Sequence, residues 1–279
     1  MGIVLALLSA LCFGSSDFAA GVGGRRSDPS AVTAIAQPFG LIAAAVAVIA
    51  LSARSPTAHA LWWGALSGIG SGVGTVSLYR GLAVARMSVV APLSAVLSAA
   101  LPALAGLLLG EHLAALAWAG IAIAMPAVAL VSLQPGDGHG SRRAGIVTGV
   151  VAGAGFALLF IALDRAGTSA GAWPLVPGQA VAAVMVLVWA APARNRPSRK
   201  AWSQAWRIGV AAGVLSGIAN LLYLAATGAG QLAVVAVVTA LYPAVTVLLA
   251  RLTLHERWSR LQIIGLSAAA AAVAAISIG

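Results

Sequence analysis

The sequence predicts an all-α membrane protein: ten transmembrane helices arranged as two inverted five-helix repeats. Three observations predict it. Of the 279 residues, 61% are hydrophobic and only 8% are charged, against roughly 25% charged in a soluble domain. The apolar residues come in continuous runs of the length that crosses a bilayer as a helix, about 20 residues. The runs of the second half also repeat marker residues of the first.

These observations exclude other classes. Sixteen basic and six acidic side chains are too few to wet the surface of a soluble globule. Intrinsic disorder needs low hydrophobicity. A transmembrane barrel would show alternating segments of about ten residues, whereas these runs are unbroken and rich in Ala, Leu, Val and Gly. A net charge of +10 would suggest nucleic acid in a soluble chain. Here the bases fall between the apolar runs, so they speak to topology and lipid headgroups, and no nucleic-acid partner is expected. The single cysteine, Cys12, allows no intrachain disulfide and no cysteine-based metal cage. No Lys or Arg precedes the first run, so that run reads as a retained helix rather than a cleaved leader.

The spans follow in order at about 2–22, 30–52, 60–79, 88–109, 113–133, 144–163, 172–191, 206–227, 232–254 and 260–278. Breaker-rich segments separate them: Gly23 to Pro29, Gln134 to Gly138, and Pro192 to Lys200. The polar segment 134–143 lies near mid-chain and divides the sequence into a first repeat, 1–133, and a second, 144–279.

The halves match at nearly constant offset. Val89-Val90-Ala91 falls on Val234-Val235-Ala236, Glu111 on Glu256 and Gly120 on Gly265. The ladder Gly64, Gly68, Gly72 falls on Gly209, Gly213, Gly217. Four-residue glycine spacing lets two helices approach closely. Five spans per half is an odd number, so the second half enters the membrane inverted. Inverted repeats commonly build secondary transporters, with the substrate site near the midplane between them.

Charge sets the orientation. Loops one, three, five, seven and nine with their helix ends hold Arg25, Arg26, Arg80, Arg86, Arg142, Arg143, Arg194, Arg196, Arg199, Lys200, Arg207, Arg251, Arg257 and Arg260. The even loops hold Arg54 and Arg165. The positive-inside rule places the odd loops in the cytoplasm and both termini outside.

The stretch Arg80-Gly81-Leu82-Ala83 through Val89-Val90-Ala91-Pro92 to Leu109-Gly110-Glu111 resembles the signature of EamA-type permeases of the drug/metabolite transporter superfamily. A second copy runs from Val234 through Tyr242-Pro243 to Leu254-His255-Glu256-Arg257. The resemblance covers essentially the whole chain. It departs in that the first copy closes Gly-Glu-His and the second His-Glu-Arg, and the prolines do not coincide. Many such permeases are drawn with cytoplasmic termini, opposite to the arginine pattern here. The resemblance implies alternating access, with helices five and ten at the periphery, a small organic cargo and export.

Asp17 is the most informative side chain, the one acid inside the first span. At a helix centre an Asp costs roughly 2.5–3.5 kcal/mol to insert, so its position asks for a reason. It reads either as a carboxyl that takes a proton or a cationic cargo, or as an interfacial acid paired with Arg25 or Arg26. Ser216, Asn220, Tyr223 and Thr227 share one face of span eight. Ser67, Ser71, Thr75 and Tyr79 line span three, Ser94 and Ser98 span four, and Thr239, Tyr242 and Thr246 span nine. These stripes form either a shared wet cavity or interhelical hydrogen bonds. Gln37 and Gln179 sit beside Pro38 and Pro177 in spans two and seven, where the prolines read either as helix breaks that free backbone carbonyls or as tolerated kinks. The expected central cavity thus draws on Asp17, Gln37, Ser71, Tyr79, Gln179, Asn220, Tyr223 and Tyr242. Glu111 and Glu256 mark the repeat at helix ends beside His112 and Arg257, and read as structural: headgroup-level ion pairs or anchors to a neighbouring loop.

An enzyme is the rival class and is not expected. The histidines (His59, His112, His139, His255) fall in loops or at helix ends, and neither a zinc-protease motif nor a phosphate loop occurs. No cofactor or metal is implied. The expectation is a secondary transporter of the plasma membrane, a monomer or homodimer, moving a small molecule with the proton as candidate coupling ion. A passive channel or a non-transporting scaffold is the alternative.

Overall fold

The computed structural model describes residues 1–27, 29–51, 55–84, 87–133, 141–190, 198–254 and 259–278. They form eleven helices: α1 (Gly2–Arg26), α2 (Pro29–Leu51), α3 (Ala58–Val84), α4 (Met87–Leu108), α5 (Ala115–Ser132), α6 (Arg142–Ala166), α7 (Leu175–Ala190), α8 (Arg199–Thr227), α9 (Leu232–Thr239), α10 (Tyr242–Leu254) and α11 (Arg260–Ile278). Glu256, the second repeat marker, lies outside the described residues, as do Arg54, Arg86, Arg194, Arg196 and Arg257.

Eight helical stretches are long and apolar enough to cross a membrane, with α9 and α10 counted as one. Leu175–Ala190 is a shorter apolar helix. At 27 residues α3 has the length, but five glycines and four Ser/Thr between Gly64 and Ser77 dilute its apolar character. Large apolar side chains face outward on every side. Leu108 is 88% exposed, Ile49 86% and Val188 66%, a surface that suits lipid and not water. The protein is a multi-pass membrane protein.

The expected ninth span is broken into two helices at Ala240 and Leu241. Pro243 has no N–H to continue the i→i−4 ladder, and its ring crowds the preceding turn. Pro38, Pro92, Pro102 and Pro126 lie inside unbroken helices, so no break occurs at Pro38; Pro177 is the third residue of α7, in the first turn where a proline is tolerated. Two helices start earlier than their apolar runs. Ser141 caps α6 by accepting from the Ala144 amide at 3.2 Å, and Ser198 caps α8 from the Ala201 amide at 3.2 Å. A serine before the run gives orphan amides an acceptor, so the helix extends into the arginine-bearing segment.

The glycine ladders explain the packing. A methyl at Gly64 or Gly68 of α3 would meet the backbone of Pro174 or Gly178 before and on α7. A methyl at Gly209 or Gly213 of α8 would meet Ile35 or the Ala36 carbonyl of α2. The two repeated ladders therefore make the same contact twice, third helix on seventh and eighth on second. Antiparallel packing repeats too: α1 lies on α8, where Ser9 and Ser16 donate to the Ala219 and Ala212 carbonyls at 2.8 Å. Its counterpart α6 lies on α3 through Gly155, Gly70 and Gly74. α5 pairs with α11, Gly120 facing Ile276 and Gly265 facing Val131. This pair takes no part in the ladder contacts, and both helices contribute residues to the main buried core.

Candidate functional site

Where the two halves meet, α1, α2 and α3 of the first and α7 and α8 of the second enclose a polar cavity of about 120 Å³. Its walls carry Asp17, Thr33, Gln37, Thr75, Tyr79, Gln179 and Ser216. Asp17 is exposed to it. The Tyr79 phenol pairs with the Thr33 hydroxyl, and Thr33 also donates to the Pro29 carbonyl at 2.9 Å. Helix direction gives its depth: Asp17 lies nine residues before the end of α1, Thr33 four after the start of α2, and Tyr79 five before the end of α3. These ends all adjoin odd loops, so the cavity lies in the arginine-rich half of the membrane.

A smaller cavity of about 10 Å³ lies deeper, walled by Ser67, Ser71, Leu159, Leu163, Gln179 and Asn220 among others. At about one probe sphere, it is large enough for a single water. Gln179 borders both cavities. Asn220 spends one amide hydrogen on the Ser216 carbonyl at 2.8 Å. Of the side chains expected to line a central cavity, Asp17, Gln37, Ser71, Tyr79, Gln179 and Asn220 border one of these two.

Tyr223 and Tyr242 do not border either one. Tyr223 is fully buried, stacks on Phe160 with centroids 4.5 Å apart, and donates to the Phe160 carbonyl at 3.2 Å. Phe160 meets Phe13 edge-on at 6.2 Å, and Phe13 meets Tyr242 at 6.1 Å. The four rings form a chain across the protein, deeper than Asp17. The helix break also takes Thr239 off the register of Tyr242 and Thr246, so the expected stripe of span nine is not continuous. Thr246 instead donates to the Gly14 carbonyl of α1 at 3.0 Å.

The end of the first signature has a definite geometry. Gly110 adopts φ +91°, which glycine reaches without steric cost. Its amide and that of Glu111 bond back to the Leu107 and Gly106 carbonyls at 3.0 Å, the bond pair of a Schellman cap. The turn aims the Glu111 carboxylate at the start of α9. It accepts from the Leu232 amide at 2.5 Å and the Ala233 amide at 2.9 Å. Beside it, Gln231 Nε2 donates to the His112 carbonyl at 2.9 Å. Glu111 thus holds the start of a helix of the other repeat rather than a neighbouring loop, and helix-dipole attraction favours an anion there.

Asp164 went unsingled in the sequence. It is half-buried near the end of α6, close enough to Glu111 and Arg165 for their charges to act on it. An acid at the last turn of a span is the available signal, and the apolar run of that span ends one residue before it, at residue 163. No group of three or more His, Cys, Asp and Glu that could hold a metal occurs among the described residues.

The model of the EamA-like transporter family matches residues 1–133 and again 143–278. The chain belongs to the EamA-like transporter family. It is therefore a membrane transporter protein of the drug/metabolite type, built from two copies of the EamA unit. No curated protein matches by sequence. A solved structure described as "Crystal structure of protein" is similar in fold, with a TM-score of 0.74 and 19% identity over 99% of this chain and 96% of its own. Both EamA units contribute walls to the larger cavity.

Glu111 gives the first test. All eight residues of α9 are buried, so amides left without an acceptor there find no water. Glu111→Ala is expected to lower stability by about 2 kcal/mol, within the cost of unsatisfied buried donors. Glu111→Gln, which keeps an acceptor but loses the charge, is expected to lose about half of that. Thermal unfolding in detergent reads both. Equal stability of Glu111→Ala and the parent would show that the cap carries no weight.

Proposed function

We propose that the chain is a secondary-active transporter of small organic metabolites or drug-like compounds, working by alternating access across ten spans of the plasma membrane, with export as its direction and both termini outside. The observation that carries this reading is a cavity walled by both repeats in one half of the membrane, with the other half packed shut. The closure consists of the Tyr223–Phe160 stack, Leu163 and Leu224, and the buried helix α9 under its Glu111 cap. A pore would leave both halves wet, and a scaffold has no need of a charged cavity. Inverted repeats supply the second state, since exchanging their conformations opens the other side. The arginine pattern makes the open half cytoplasmic. The proton is the candidate coupling ion, through Asp17, and no enzymatic chemistry is assigned to the chain.

Side-specific labelling tests this without a known cargo. In a Cys12→Ser background, Ser216→Cys borders the cavity and Leu163→Cys lies in the closed half. An impermeant maleimide is expected to reach Ser216→Cys from the cytoplasmic face only and Leu163→Cys from the opposite face only. Blocking Ser216→Cys with a bulky reagent is expected to slow labelling at Leu163→Cys at least tenfold. Independent labelling of both positions would favour a channel, and a Leu163→Cys that never reacts would favour a scaffold. Reaction of Ser216→Cys from outside would reverse the orientation.

A further inference from the structure

We propose that the larger cavity is selective for a small organic amine carried as its monocation, with the ammonium group set against Asp17. This rests on the transporter reading and names its substrate class.

The charge of the walls carries the inference. Asp17 is the only charged residue among those lining the cavity. Thr33, Gln37, Thr75, Gln179 and Ser216 add hydroxyls and amides, which serve a cation or a neutral group equally. The bases nearest in sequence are all exposed: Arg25 and Arg26 on α1, Arg80 on α3 and Arg207 on α8. Arg25 follows Asp17 by eight residues, about 12 Å along the helix, and Arg207 precedes Ala212 by about 7 Å. None of them lines the cavity. Among the described residues no base lines the cavity beside Asp17, and a carboxylate so placed favours a cation and repels an anion.

One ring of the lining suits the same ligand. Tyr79 lines the cavity together with Asp17. A carboxylate and an aromatic ring together are groups that hold an ammonium ion. Volume sets the size. An apolar cavity of about 150 Å³ takes benzene, so 120 Å³ admits a molecule of roughly half a dozen heavy atoms in this conformation.

The test compares three compounds of similar size that share an isopropyl group: isobutylamine, isobutanol and isobutyrate. Each is titrated against the purified full-length chain at pH 7 and constant ionic strength, with thermal stabilisation as the readout. Isobutylamine is expected to bind at least tenfold more tightly than the other two. Asp17→Asn is expected to erase that preference, and Asp17→Glu, which restores the charge, to recover it. The inference is overturned if isobutyrate or isobutanol matches the amine, if Asp17→Asn binds the amine as well as the parent, or if the amine does not bind. The labelling experiment above needs no ligand, so alternating access can stand while amine selectivity fails, and the reverse.

Discussion

Asp17→Asn is expected to reduce pH-gradient-driven flux in reconstituted vesicles at least tenfold, with little change in stability. The substitution keeps the shape of the side chain and removes its charge and its ability to take a proton. A hydrogen bond to a charged group contributes roughly 1.5–3 kcal/mol, or about ten- to a hundredfold in an equilibrium constant. That range sets the size of the expected loss. Stability should hardly move, because Asp17 is exposed to the cavity and no salt bridge is assigned to it among the described residues. A cargo-free form of the test reads the labelling rate of Leu163→Cys against pH. If protonation of Asp17 shifts the balance between the two states, the rate depends on pH in the parent and is flat in Asp17→Asn. A rate that varies with pH equally in both, or flux that survives the substitution, would remove Asp17 from the coupling.

The sequence made the helices and the presence of close helix contacts legible because both rest on local rules. Span length follows from bilayer thickness, and the two ladders announced close contacts by glycine spacing alone. The partners of those ladders were not readable. Nothing in Gly68 names Gly178, since that contact depends on how two inverted halves interleave. The cavity was legible as far as polar residues share helix faces, which holds for Ser71 and Tyr79. It failed for Tyr223, whose phenol is satisfied by the Phe160 carbonyl of α6, a partner 63 residues away. It failed also at span nine, where hydropathy runs on unbroken while Pro243 ends the hydrogen-bond ladder. Glu111 shows the opposite case. Its role as an anchor follows from its place at a helix end, but which amides it holds is a tertiary fact.

The ladders lead to the largest expected effect on stability. Gly68 and Gly213 are repeat mates at an offset of 145 residues. A methyl on Gly68 would run into the Gly178 carbonyl oxygen, and one on Gly213 into the Ala36 carbonyl oxygen. Both obstacles are backbone, which cannot rotate aside as a side chain can. Helix propensity favours alanine over glycine by roughly 1 kcal/mol, so a free surface would gain from the change. Gly21 is such a surface, exposed and with nothing within 4 Å of an added methyl. Gly21→Ala is therefore expected to be neutral or slightly stabilising. Gly68→Ala and Gly213→Ala are each expected to cost about 1–3 kcal/mol, the usual penalty of overpacking, because helices held by close approach in lipid must separate along their length. Unfolding in detergent, compared at one temperature, reads all three. The two ladders join different helix pairs, so the double variant should show the sum of the single costs to within about 0.5 kcal/mol. A smaller sum would mean that separating one pair already loosens the other, and the two pairs would then move as one body. Additivity leaves α3 with α7 and α8 with α2 as two independent rigid units, which is what a rocking motion between them requires.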